Sequence, residues 1–122
     1  MNFAECHGTG TSLGDPIEVG AAAAVLCQGR EFPLLLGSHK SNTGHSEAAA
    51  GISGLTKIIL FVGMQAAPPN CHFNVLNPNI AAEGFPMYFV SEAVDTGVSE
   101  CLCGVSSFGF GGSNARADIS GR

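Results

Sequence analysis

A chain of 122 residues, 45% apolar and 12% charged, has the length of one ordinary domain and enough apolar side chains to fill a core, which excludes a disordered segment. Its formal charge of −5, with only five Lys plus Arg, leaves no basic face for nucleic acid or an anionic bilayer. Five cysteines, an odd number, without any C-x-x-C spacing, argue against a disulfide framework and favour a reducing, cytoplasmic setting.

In chain order, Phe3-Ala4-Glu5-Cys6 reads as the end of a strand. The loop from His7 to Gly14 follows, its glycines allowing backbone close to a ligand and Thr9, Thr11 and Ser12 offering hydroxyls. Asp15-Pro16-Ile17-Glu18 predicts a helix start, with Asp15 as N-cap, Pro16 at the first helical position and Glu18 completing a capping box. This helix is expected to reach about Cys27. The glycine spacing is one residue too long for a dinucleotide fingerprint, and no P-loop Gly-Lys follows. A carboxylate at the helix start also occupies the place a phosphate would take.

Leu34 to Ser38 is the next predicted strand, and Gly37 to Gly51 is the most informative stretch. It gathers His39, Lys40, His45 and Glu47 on a turn between a buried strand and a small-residue helix, where layered α/β proteins build sites. The helix is expected over 46–64, capped by Ser46 or His45. Ile52, Leu55, Ile59 and Val62 form its predicted apolar stripe, and Ala48 to Gly51 with Gly54 mark a close approach to another backbone. Its most hydrophobic part, Ala48 to Met64, has Lys57 and four Ser, Thr or Gly residues in its centre and is too short and too polar for a membrane span, so it reads as a buried helix of a soluble protein. Pro68 and Pro69 end it, 71–80 reads as extended surface chain, and Met87 to Val90 as a short strand. Val105 to Phe108 is expected to turn on Gly109, Gly111 and Gly112 and return through Ala115 to Ile119, presenting Phe110 as a flap.

Two neighbouring pairs, Cys6-His7 and Cys71-His72, raise zinc, but adjacent residues rarely ligate one tetrahedral ion and the usual spacings are missing, so no metal is expected.

Three of these stretches carry a resemblance: Cys6-His-Gly-Thr-Gly-Thr-Ser-Leu-Gly-Asp-Pro-Ile-Glu-Val-Gly20, Lys40-Ser-Asn-Thr-Gly-His-Ser-Glu-Ala-Ala-Ala-Gly51 and Val105-Ser-Ser-Phe-Gly-Phe-Gly-Gly-Ser-Asn114. In order and spacing they resemble signatures of the β-ketoacyl synthase domains of type I polyketide and fatty acid synthases. Pro68-Pro-Asn and Leu76-Asn-Pro-Asn resemble the path between the last two. The resemblance implies an α/β fold, the C-terminal half of a thiolase-like arrangement of five layers (αβαβα), over residues 1–122. It implies an acyltransferase reaction, the decarboxylative Claisen condensation of an acyl thioester with a malonyl-type extender.

By that resemblance His7 and His45 are the catalytic histidines and Lys40 supports them. Thr9 and Thr11 would touch the pantetheine arm. Phe108, Phe110 and Gly111 would face substrate, with Phe110 as gate and its N–H in the oxyanion hole. No cofactor is implied beyond the 4′-phosphopantetheine of an acyl carrier protein. The implied partners are that carrier, an N-terminal ketosynthase half bearing the nucleophilic cysteine, and a second copy in a homodimer. Cys6 stands at a flanking position, which makes it a bystander. His39 replaces an apolar residue usual before the lysine, Ser113 a Thr, and Arg116 a residue that is His in many relatives. The alternative is a noncatalytic ketosynthase-like module that holds a pantetheine arm or a partner domain.

Overall fold

The computed structural model describes residues 1–122. Its strands are β1 (Phe3–Glu5), β2 (Leu34–Gly37), β3 (Ala66–Ala67), β4 (Met87–Phe89), β5 (Val94–Asp95), β6 (Cys101–Phe108) and β7 (Asn114–Gly121). The main sheet has the order β4-β2-β1-β6-β7. Its first four strands are mutually parallel, and β7 returns antiparallel from β6. The short β3 and β5 form a separate antiparallel pair that the sequence does not foretell.

The three-residue strand β1 is central because both its faces are covered. Its side chains alternate: Ala4 joins Val19, Cys27, Leu34 and Leu36 in one apolar cluster, whereas Phe3 joins Ile58, Phe61, Cys103 and Val105 in the other. The first cluster lies under α1 (Gly14–Leu26) and the second under α3 (Ala50–Met64), so the sheet is sandwiched between two helices. Phe3 stacks on Phe61 with ring centroids 4.9 Å apart. Asn70 ties off the end of β2: its Oδ1 accepts from Ser38 N–H at 2.8 Å, and its Nδ2 donates to the carbonyls of Leu36 and Val90.

Three local expectations are corrected. Helix α1 starts at Gly14, two residues early, and Asp15 and Glu18 make no capping box. The Thr11 hydroxyl accepts the Gly14 N–H at 3.0 Å instead, which frees both carboxylates to turn toward the preceding loop. The buried stripe of α3 is Ala50, Gly54, Ile58 and Phe61. Ile52 and Ile59, expected in that stripe, are 66% and 53% exposed, while Leu55 and Val62 pack at the margin of the core. Several stepped registers fit so apolar a helix, and the small residues select the one that comes closest to β6. The helix is therefore buried on one face only. By length and composition Glu47–Met64 could cross a bilayer, contrary to the expectation from sequence, but here it lies against the sheet and its Lys57 forms a buried ion pair.

Gly54 shows why that register wins. A Cβ there would meet Val105 Cγ2 at 2.9 Å, Glu5 Cγ at 3.2 Å and His39 Nδ1 at 3.5 Å. Gly63, on the same helix, has nothing within 4 Å. Gly54→Ala is accordingly expected to destabilise the chain by about 1–3 kcal/mol through overpacking, despite a gain in helix propensity. Gly63→Ala is expected to be neutral or to stabilise by up to about 1 kcal/mol. Urea denaturation of both variants checks this, and equal midpoints would contradict the packing argument.

Candidate active site

Parallel strands end on the same edge of a sheet, and here that edge collects the site. The C-terminal end of β1 leads to His7, that of β2 to Lys40 and His45, and that of β6 to Phe108 and the turn bearing Phe110. The His7 and His45 rings meet edge to face with centroids 5.6 Å apart, and the Phe108 ring lies 5.4 Å from His7. The two imidazoles, 38 positions apart in sequence, are neighbours.

The loop at His7 is held from below by α1. Glu18 Oε1 accepts the His7 N–H at 2.7 Å, Glu18 Oε2 the Gly8 N–H at 2.9 Å, and Asp15 Oδ1 the Gly10 N–H at 3.1 Å. These amides face carboxylates, so no anion-binding cradle remains there. Burial raises the Glu18 carboxyl above its ordinary value, and the two amide bonds only partly offset this. Gly8 is required twice over: its φ is +49°, and a Cβ would lie 2.6 Å from that of Ser38 at the end of β2.

His45 follows α2 (Lys40–Thr43), a single turn where the sequence suggests a loop. Its Nδ1 accepts the backbone N–H of Glu47 at 2.8 Å, so the neutral ring carries its proton on Nε2. Neither Ser46 nor His45 caps the helix as the sequence suggests: α3 starts at Ala50, after a 3-10 turn over Glu47–Ala49, and neither start has a side-chain cap. Glu47 has the unusual φ of +47°, the sharp bend that brings its N–H back to the ring.

Beneath these groups lies a buried cluster that sequence reasoning does not assemble. The Glu5 side chain is fully buried; its Oε1 accepts from His39 N–H and, at 3.0 Å, from His39 Nδ1, while its Oε2 pairs with Lys57 Nζ at 2.7 Å. A glutamate inside an apolar strand and a lone lysine on an apolar helix are the available signals, but only the tertiary contacts pair them.

The remaining candidate residues are placed as follows. Thr9 lines a cavity of about 840 Å³ with Lys40 and His45, and Phe108 and Phe110 line one of about 610 Å³ with His7 and His45, so the two cavities share His45. Thr11 and Gly111 line neither. The Thr11 hydroxyl is used on Gly14, 3.5 Å from that of Thr9. The Phe110 side chain is fully exposed, and it is Phe108 that touches His7. No three His, Cys, Asp or Glu side chains converge as a metal site would require. Burial, then Glu18 and Glu5, push the Cys6 thiol well above its ordinary value, and Cys103 is pushed up to about 12 by burial. Neither is a poised nucleophile.

His7 is held below the ordinary imidazole value, first by burial and then by the positive charge of Lys40. Lys40 is itself lowered by burial, with Glu5 and Glu18 opposing. Lys40→Met is therefore expected to move the His7 midpoint upward, as read by imidazole NMR. Because the folded ring binds its proton less readily than the unfolded one, this contribution to stability is complete above the ordinary value of 6.5. It is lost as pH falls through the lower folded-state value. A His7 midpoint at or above 6.5 that ignores Lys40→Met would contradict the assignment of causes.

Comparison with known proteins identifies the family. Residues 1–74 match the family described as beta-ketoacyl synthase, C-terminal domain. The chain is 48% identical over 98% of its length to a phenolphthiocerol/phthiocerol polyketide synthase of Mycobacterium tuberculosis, of which it spans 7%. It is 46% identical, again over 98% of its length, to a polyketide synthase of Burkholderia thailandensis, of which it spans 2%. Among solved structures, ketosynthase twelve of the bacillaene polyketide synthase of Bacillus amyloliquefaciens superposes with a TM-score of 0.91 at 35% identity, over 98% of this chain and 22% of that one. The ketosynthase from module 6 of the Bacillus subtilis bacillaene synthase gives 0.92 at 34% identity, over 100% of this chain and 23% of that one. The mixed α/β fold is thus that of thiolase-like ketosynthases, and the chain belongs to the β-ketoacyl synthase family, as the C-terminal part of a ketosynthase domain homologous to those of polyketide synthases.

Proposed function

We propose that the chain supplies the histidine half of a polyketide ketosynthase that performs decarboxylative Claisen condensation. The observation that carries this reading is the meeting of the His7 and His45 rings, 5.6 Å apart, at the edge where β1, β2 and β6 end. A malonyl-type thioester on the pantetheine arm of an acyl carrier protein loses carbon dioxide, and the electron pair of the broken C–C bond passes to the thioester oxygen as an enolate. Imidazole N–H donors stabilise that oxygen as its charge develops. The enolate carbon then attacks the acyl thioester held on a cysteine, forming the new C–C bond and releasing the thiolate.

His45 suits this role because the Glu47 N–H occupies its Nδ1 and leaves Nε2–H to donate. His7 suits it because burial and Lys40 favour the uncharged ring. The nucleophilic cysteine belongs to a preceding half of the domain, in keeping with the chain spanning under a quarter of the solved ketosynthases compared with it. The exposed apolar residues of α3, Ile52, Ile59, Leu60 and Met64, support a large covered surface there. Thr9 and the cavity around Lys40 and His45 receive the pantetheine arm, and the turn at Phe110 closes the other cavity. The Phe110 N–H makes no bond within the chain and serves as an oxyanion donor. Five unpaired cysteines support a reducing, cytoplasmic setting, and the parent enzyme acts as a homodimer.

The test is decarboxylation of malonyl-pantetheine by the full ketosynthase and its His7→Ala and His45→Ala variants. Each substitution is expected to slow the reaction about 100-fold or more, the worth of one well-placed donor to a developing oxyanion. Equal rates in wild type and His45→Ala would instead support a noncatalytic module that only binds the arm.

A further inference from the structure

We propose that His39 is a positioning residue of this site, its ring Nδ1–H holding the start of the Lys40 helix against the strand that delivers His7. The inference rests on the function proposed above, and its geometry is independent of it. A carboxylate can only accept, so both the backbone N–H and the ring Nδ1–H of His39 donate to the same oxygen, Glu5 Oε1. Glu5 lies two residues before His7. His39 is the N-cap residue of α2, immediately before Lys40 and six residues before His45.

The contact is dry, with the side chains of Glu5 and His39 0% and 6% exposed, so the bond is not weakened by competing water. Gly54 allows α3 to close over it, its missing Cβ leaving room beside His39 Nδ1. Packing alone does not account for a histidine here. Nε2 is buried without a hydrogen-bond partner in the chain, a cost that an apolar side chain of similar size would avoid. What the ring contributes is the second donor to Glu5. The charged and titratable groups around it are Glu5 on β1, Lys57 on α3, Lys40 on α2 and His7 on the loop, the last sensing the positive charge of Lys40. A displaced α2 would therefore be felt at His7 through Lys40.

The experiment uses the full ketosynthase with His39→Val, His39→Asn and His39→Gln, and reads kcat and KM for malonyl-pantetheine decarboxylation together with the His7 titration by NMR. Asn places its amide N–H where ring Nδ1–H sits; Gln keeps volume and polarity but carries the donor one bond farther out. His39→Val and His39→Gln are expected to lower kcat about three- to tenfold with KM within about twofold, the worth of one typical hydrogen bond. Both should raise the His7 midpoint by roughly 0.3 or more as Lys40 moves away. His39→Asn should restore rate and midpoint to within about twofold and 0.1 of wild type, respectively. Should His39→Val fail to fold, His39→Gln against His39→Asn decides. An inactive wild type would refute the proposed condensation while the His7 midpoints still judge His39. Unchanged rates and midpoints in His39→Val, or His39→Asn as impaired as His39→Gln, would overturn the positioning role.

Discussion

A single buried carboxylate organises this molecule. Glu5 sits on the three-residue central strand and is bonded on one oxygen to the start of α2 and on the other to Lys57 of α3. Burying three titratable groups carries a large desolvation cost, and such a cluster is no stronger than a well-packed apolar core. Removing Glu5 or Lys57 alone is another matter, because it strands the other's charge in a dry interior, at a cost of about 3–5 kcal/mol. The cluster thus specifies more than it stabilises. It determines where α2 begins and how far the two imidazole-bearing segments stand apart.

Around that anchor the site is mostly backbone architecture. Parallel strands deliver their following loops to one edge, so His7, His45 and Phe108 converge without a dedicated scaffold. The carboxylates of α1 hold the His7 loop by its amides, and a backbone amide sets the proton position on His45. In both cases a backbone N–H is the donor, to the Glu18 carboxylate at the His7 loop and to the ring nitrogen of His45. Such preorganisation is what electrostatic stabilisation of a developing oxyanion needs.

The apolar surface divides unevenly. The inner face of α3 is closed by Gly54 and Ile58 on β6, while Ile52, Leu60 and Met64 remain outside. The glycines and alanines read from sequence as a close approach to another backbone serve, at Gly54, the approach to this chain's own sheet. The outer face uses large aliphatic residues instead. The distinction matters physically: small residues permit backbone approach, and large ones supply area to be covered.

The sequence by itself determined the class of fold, the order of its main strands and long helices, and the three polar loops that hold the candidate residues. Those features follow from local periodicity, glycine chemistry and motif order, which act over a few residues. It could not determine the capping partners of α1, because Asp15 and Glu18 satisfy a local pattern equally well whether they bond their own helix or the loop before it. Nor could it determine the stripe of α3, where nearly every position is apolar and only the Cβ-free approach of Gly54 to Val105 breaks the tie. The pairing of Glu5 with His39 and Lys57, 34 and 52 positions farther along the chain, was decided by tertiary structure alone. A buried charge chooses its partner by distance in space, and that distance exists only after the sheet and α3 have closed.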